Sequence, residues 1–218
     1  MTERRKLVAG NWKMNGLRAA LTEVRAMVQG ATAIPGVDLV LCPPATLASS
    51  VKEALAGSPI GLGGQDCHPG PAGAFTGDIS AEMWADLGAQ YVIVGHSERR
   101  ALHGETDAIV ASKAAGAFRA GLTPIICVGE SLTERDSGQT LDVVRSQLAG
   151  SIPDTAGARR TIIAYEPVWA IGTGQTASPV QAQAVHSVLR AQLKAATEHS
   201  GRVHILYGGS MNAANAAE

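Results

Sequence analysis

The chain has 218 residues, enough for one domain with a sizeable buried core. Hydrophobic residues make up 45% and charged residues 17%, the opposite of the balance that keeps a chain disordered. Lys plus Arg number 18 against 19 Asp plus Glu, a net charge of −1, which argues against nucleic acid or an anionic membrane as the main partner.

Cys42, Cys67 and Cys127 are odd in number, far apart and form no C-x-x-C pair, so neither a disulfide framework nor a metal site is expected. After Met1-Thr2-Glu3-Arg4-Arg5-Lys6 only residues 7–10 are apolar, too few for a signal peptide. No run approaches the ~18 apolar residues of a membrane span. The expectation is a soluble protein of a reducing compartment, the cytoplasm.

Short apolar runs begin near Leu7, Asp38, Ile60, Gln90, Leu122, Thr161 and His204. Each is rich in Val, Ile or Leu and closed by Gly, Pro or Cys. None alternates, so each reads as a strand buried on both faces, as in a parallel sheet. Helical periodicity lies between them. Residues 17–29 place Leu17, Leu21, Val24 and Val28 on one face. Residues 106–119 do so with Ile109, Val110 and the aliphatic stem of Lys113. Residues 179–199 do so with Val180, Ala184, Val185, Val188, Leu189 and Leu193. Ser178 before Pro179 reads as an N-cap followed by a first-turn proline. The strands recur about every 33 residues, the length of one βα unit. Seven such units are visible, with no linker or low-complexity segment. The repeat fits a doubly wound sheet or a (β/α)₈ barrel.

Polar residues gather just after these strands. Asn11, Trp12 and Lys13 follow the first; His96, Ser97 and Glu98 the fourth; Glu166 the sixth; Gly208, Gly209 and Ser210 the seventh. Active sites of barrels are built at such strand ends, and a Lys, a His and a Glu there form an acid–base set. Glu166 stands between Ile162-Ile163-Ala164-Tyr165 and Pro167-Val168-Trp169, an apolar setting that suits a general base. His96 could polarise a carbonyl or shuttle a proton. Lys13 could hold a phosphate or a developing enolate. Taken singly, each also fits a structural role. Residues 167–178 are small and Gly-rich, as in a lid whose backbone N–H groups meet an anion. The pattern Gly172-x-Gly174-x-x-Ala177 mimics a dinucleotide fingerprint but lies too far from the strand end and precedes its helix.

Together these segments closely resemble the triosephosphate isomerase family. The resemblance rests on Ala9-Gly10-Asn11-Trp12-Lys13-Met14-Asn15, Gly64-Gln65-Asp66, Gly73-Ala74-Phe75-Thr76-Gly77, Val94-Gly95-His96-Ser97-Glu98-Arg99-Arg100, Cys127-Val128-Gly129-Glu130, residues 164–174 and Tyr207-Gly208-Gly209-Ser210. They follow the family's order along almost the whole chain. The resemblance implies an α/β TIM (β/α)₈ barrel in one domain. It also implies cofactor-free, metal-free interconversion of glyceraldehyde 3-phosphate and dihydroxyacetone phosphate, a glycolytic step. Glu166 would be the base, His96 a neutral electrophile, and Lys13 the residue that holds the substrate anion and enediolate, with Asn11 nearby. Gly172 and Ser210 would donate backbone N–H groups to the phosphate. Ser97 and Glu98 would support His96 and Lys13. The loop 65–80 would enter a partner subunit, with Thr76 near the partner's Lys13, giving a homodimer.

Two departures stand against that pattern. Gln175 replaces a lysine common at the far end of the lid. The family continues through an eighth strand with a phosphate-binding glycine pair and a final helix, whereas this chain stops at Glu218. The barrel is therefore expected to be incomplete at its C-terminus. That leaves open a catalytically impaired scaffold, and more weakly a barrel acting on another sugar phosphate.

Overall fold

The computed structural model describes residues 4–153, 161–196, 200–211 and 214–216. The chain gathers into two compact units. One comprises Met1–Val94 with Ala115–Pro124, the other Gly95–Ala114 with Ile125–Glu218.

In the first unit four strands run in chain order: β1 (Lys6–Asn11), β2 (Val37–Cys42), β3 (Ile60–Gly64) and β4 (Tyr91–Val94). Every pairing is parallel, with Asn11 opposite Cys42, Leu41 opposite Leu62 and Gly64 opposite Val92. Helices α1 (Leu21–Ala31), α2 (Ala45–Ala54) and α3 (Ala81–Asp86) connect them. Each parallel return needs a crossover, and the helices supply it. Between β3 and α3 lies the long loop 65–80, which forms only an isolated bridge, His68 to Ser80, and is exposed over 71–78. It is anchored at its base, where Trp84 donates its indole N–H to the Asp66 carbonyl at 2.8 Å.

The second unit holds α4 (Ser97–His103), α6 (Leu132–Asp136), α7 (Thr140–Ser151), β6 (Ile162–Tyr165), α8 (Pro179–Ala196) and β7 (His204–Tyr207). Helix α5 (Asp107–Arg119) and strand β5 (Thr123–Val128) have residues in both units. Strands β5, β6 and β7 pair in parallel, with Cys127 opposite Ala164 and Tyr165 opposite Tyr207. Helices pack through one face each. Val144 and Leu148 of α7, and Val185, Leu189 and Leu193 of α8, are buried at the four-residue spacing that stacks side chains on one stripe. Ser178 caps α8 as expected. Its hydroxyl accepts the Gln181 N–H at 3.3 Å while Gln181 returns its carbonyl to the Ser178 N–H at 2.9 Å.

The seven strands start within one residue of the expected positions. Strands β2 to β6 are largely buried, as continuous apolar runs require. Strands β1 and β7 are not: Val8 is 56% exposed and no residue of β7 is fully buried. Among the described residues each pairs with one neighbour only.

Several helix positions differ from expectation. Leu17 precedes a 3₁₀ turn, Arg18–Ala20, and points into solvent. Val180, in the first turn of α8, is exposed as well, and so is Ala184. Of the adjacent pair Ile109 and Val110, Val110 takes the buried position, because neighbours on a helix cannot share so narrow a face. Lys113 is buried not by its stem alone but through an ion pair, its ammonium 2.6 Å from Glu105 Oε1. Residues 197–199, expected to end α8, lie outside the described residues.

Candidate active site

The chain leaves β4 at Val94 and must turn sharply to start α4. Gly95 makes the turn with φ +67, where a Cβ would also lie 2.7 Å from Val110. His96 follows as the N-cap of α4. Its ring does what a Ser or Asp does elsewhere: Nδ1 accepts the Glu98 N–H at 3.2 Å. A nitrogen that accepts carries no proton, so the neutral ring is protonated at Nε2.

That Nε2 is aimed at Glu166. The two atoms, His96 Nε2 and Glu166 Oε1, are 2.9 Å apart. The other carboxylate oxygen, Oε2, accepts the Ser97 N–H at 2.8 Å. Both side chains are buried. Glu166 stands one residue past the end of β6, its N–H donating to the Val128 carbonyl at 2.8 Å. The carboxylate is buried as expected, but its surroundings are polar donors rather than an apolar pocket. Ser97 supports the pair through its backbone, and so does Glu98. The Glu98 carboxylate is half exposed and 3.6 Å from Nδ1.

A second buried carboxylate holds the segment beyond Glu166. Glu130 is wholly buried, and its Oε1 collects the Tyr165 hydroxyl at 3.1 Å, the Trp169 indole N–H at 3.0 Å and the Arg135 guanidinium at 3.2 Å. Arg135 also stacks 4.4 Å above the Trp169 ring. Burial, and then the Glu130 charge, push the Tyr165 hydroxyl well above the ordinary tyrosine range, so it remains a donor. At the far end of the 167–178 segment, the Ala177 N–H donates to the Tyr207 hydroxyl at 3.2 Å. In between, the Gly172 N–H donates to Ser210 Oγ at 3.4 Å, and that hydroxyl donates to the Ala170 carbonyl at 3.0 Å. Gly172 and Ser210 are thus brought together, Ser210 by its side chain.

Asn11, Lys13 and Thr76 belong to the first unit. Asn11 Oδ1 accepts the Lys13 N–H at 2.9 Å, and Gln65 donates its amide to the Lys13 and Cys42 carbonyls, each at 2.9 Å. Lys13 has φ +53, the one non-glycine in the left-handed region among the described residues. Such strain persists only where the surroundings enforce it, and here Asn11 and Gln65 grip the peptide groups on both sides. Thr76 lies on the exposed tip of the loop 65–80. Among the described residues no three His, Cys, Asp or Glu side chains gather as a metal site, and no helix is long and apolar enough to cross a membrane.

Sequence reasoning placed His96, Ser97 and Glu166 but missed Gln147. It reaches from α7 to the Gly129 peptide, donating to the carbonyl at 3.1 Å and accepting the N–H at 2.8 Å. The link spans 18 positions and joins a helix to a strand end, so no local pattern announces it.

The chain is similar to known proteins over nearly its whole length. A family model described as triosephosphate isomerase matches residues 6–218. The triosephosphate isomerase of Afipia carboxidovorans is 56% identical over 216 residues, 98% of this chain and 86% of that protein. That of Ruegeria pomeroyi is 56% identical over 217 residues, 99% of this chain and 86% of the relative. The crystal structure of triosephosphate isomerase from Bartonella henselae superposes with a TM-score of 0.89 at 44% identity, covering 97% of this chain and 85% of that one. The fold is accordingly of the TIM-barrel class, and the chain belongs to the triosephosphate isomerase family.

Proposed function

We propose that this protein interconverts D-glyceraldehyde 3-phosphate and dihydroxyacetone phosphate by proton transfer through an enediolate. The observation that carries the reading is the buried, directly bonded pair of His96 and Glu166 in a chain of this family. Glu166 removes a proton from the carbon beside the carbonyl and returns it to the neighbouring carbon. His96 donates from Nε2 to the substrate oxygen that gains charge and recovers a proton from the other oxygen. A neutral ring suits that task, because it can both give and take. In the resting arrangement Glu166 occupies the very donor that the substrate oxygen needs. Substrate entry therefore exchanges one partner of His96 for another and frees Oε1 for the carbon acid.

Lys13 supplies a fixed positive charge for the phosphate and the enediolate, with Asn11 holding its backbone. Gly172 and Ser210 line the phosphate end. The 167–178 segment closes over the substrate and excludes water, which protects the intermediate. The same proposal includes a homodimer formed through the loop 65–80, with Thr76 at the partner's site, and a cytoplasmic setting suited to a glycolytic step. Exposed Phe75 in that loop and exposed Met14 in the same unit support a covered surface there.

The test is turnover of glyceraldehyde 3-phosphate by the purified protein beside its Glu166→Gln variant, an isostere that cannot act as a base. Turnover lost in the variant supports the assignment. Turnover retained in the variant removes Glu166 from its role.

A further inference from the structure

We propose that Gln147 is a positioning residue for Glu166, acting through the Gly129 peptide. The inference rests on the reading of Glu166 as the base. It starts from the way the Glu166 backbone is seated. A Cβ built on Gly129 would lie 1.7 Å from the Glu166 carbonyl oxygen, so the two main chains touch with no room for any side chain. Wherever Gly129 sits, Glu166 follows.

Two kinds of force could hold Gly129. Apolar packing is one, yet a cavity of about 230 Å³ opens beside it, lined by Gly129, Gln147, Ser97, Glu134 and Glu166 among others. Packing fixes a group only where atoms surround it on all sides. Hydrogen bonding is the other. The Gln147 amide meets the Gly129 peptide as a second peptide would, accepting its N–H at 2.8 Å and donating to its carbonyl at 3.1 Å. The flanking residues are tied to the strand and segment that carry Glu166. The Val128 carbonyl accepts the Glu166 N–H, and the Glu130 carbonyl accepts the Val168 N–H at 3.1 Å. Gln147 is thus the side chain that grips the middle of the 128–130 span from the helix side.

Proton transfer is steeply sensitive to such placement, since a shift of about 1 Å can cost on the order of a hundredfold in rate. Binding of the phosphate, at the Gly172 and Ser210 end, does not pass through Gly129. The signature is therefore a fall in kcat with little change in KM.

The experiment compares the wild-type protein with Q147M and Q147E, and with Glu166→Gln as control. Q147M keeps the bulk and loses both hydrogen bonds; kcat falls on the order of tenfold to a hundredfold while KM stays within about twofold. Q147E is the more telling variant. When ionised, its carboxylate accepts the Gly129 N–H but opposes the Gly129 carbonyl. When protonated, it offers one donor and one acceptor, as the amide does. Its kcat, taken as a ratio to the wild type at each pH, rises as pH falls. A merely structural role lowers thermal stability without producing that recovery.

A wild-type kcat in Q147M overturns the proposal, and so does a Q147E ratio that is flat with pH. Should Q147M fail to fold, the Q147E profile decides alone. Turnover retained by the Glu166→Gln control overturns the proposal together with the base it serves. Turnover that depends on Glu166 but not on residue 147 overturns the proposal alone.

Discussion

Nε2 of His96 lies 2.9 Å from Oε1 of Glu166, and the peptide N–H of Ser97 holds the other oxygen of the same carboxylate at 2.8 Å. The pair is preorganised by backbone groups at the start of α4, so neither side chain depends on solvent for its orientation. His96→Gln keeps a donor near the substrate oxygen but cannot pass a proton from one oxygen to the other. We expect kcat to fall by about 10²- to 10⁴-fold, the usual worth of a positioned acid–base group. Steady-state kinetics in both directions check it. A loss below about tenfold would remove His96 from the proton path.

Lys13, proposed above to supply a positive charge, carries it on an unfavourable backbone. Its φ of +53 costs an L-residue about 1 kcal/mol or more. Lys13→Ala and Lys13→Gly both remove the ammonium and should both lose turnover. They should differ in stability, the glycine variant being the more stable by about 1 kcal/mol because it adopts that backbone freely. Urea unfolding of the two variants gives the difference; equal midpoints would mean that the conformation is not strained.

Glu105 ties Arg99 and Lys113 together, with Oε1 at 2.5 Å and 2.6 Å from them. Burial pushes its carboxyl up, but the hydrogen bonds from Lys113 and Arg99 more than offset this and hold it below the ordinary 4.5. The folded value is thus lower than the unfolded one, and the unfolded chain takes up the proton first as pH falls. The stabilisation is complete above 4.5 and disappears as pH drops through the lowered folded value. Unfolding midpoints should decline across that acid window more steeply in the wild type than in Glu105→Gln. At neutral pH the variant should be less stable by about 3–5 kcal/mol, since it leaves the buried Lys113 without its carboxylate.

Phe75 is 48% exposed on the loop 65–80 and packs on His68, ring centroids 3.8 Å apart. If the loop enters a partner, a charge at its apolar tip is costly to bury. Phe75→Glu should shift a dimer toward monomer at micromolar concentration while the fold persists. Sedimentation velocity with circular dichroism separates the two effects. An unchanged sedimentation coefficient would place the interface elsewhere.

The strands were legible because burial on both faces leaves unbroken apolar runs such as Tyr91-Val92-Ile93-Val94, bounded by glycine. The ends of α5 and the start of α8 were legible through period and cap. Helices α3, α4 and α6 were not, for they hold five to seven residues each, fewer than two turns, and no period can establish itself. Among candidate site residues, His96 and Glu166 each follow an apolar run, but that position alone also fits a structural role; it was the family resemblance of the surrounding segments that singled them out. Gln147 could not, since its partner is a peptide group and peptide groups carry no letter in the sequence. The tautomer of His96 was equally hidden: it is set by the Glu98 N–H, a backbone donor whose direction exists only once α4 has formed.

The segment 167–178 is fastened at both ends to residues outside it, Trp169 to Glu130 and Ala177 to Tyr207. It therefore behaves as a cassette between two clips. Its interior can be rewritten at Gln175, for instance, provided the number of residues is kept, whereas Thr173 belongs to the first clip, its hydroxyl donating to the Trp169 carbonyl at 2.9 Å. If the segment is the lid proposed above, its rate of opening becomes a designable quantity separate from the chemistry: stiffer interiors should slow release of product while leaving the His96–Glu166 pair as it stands.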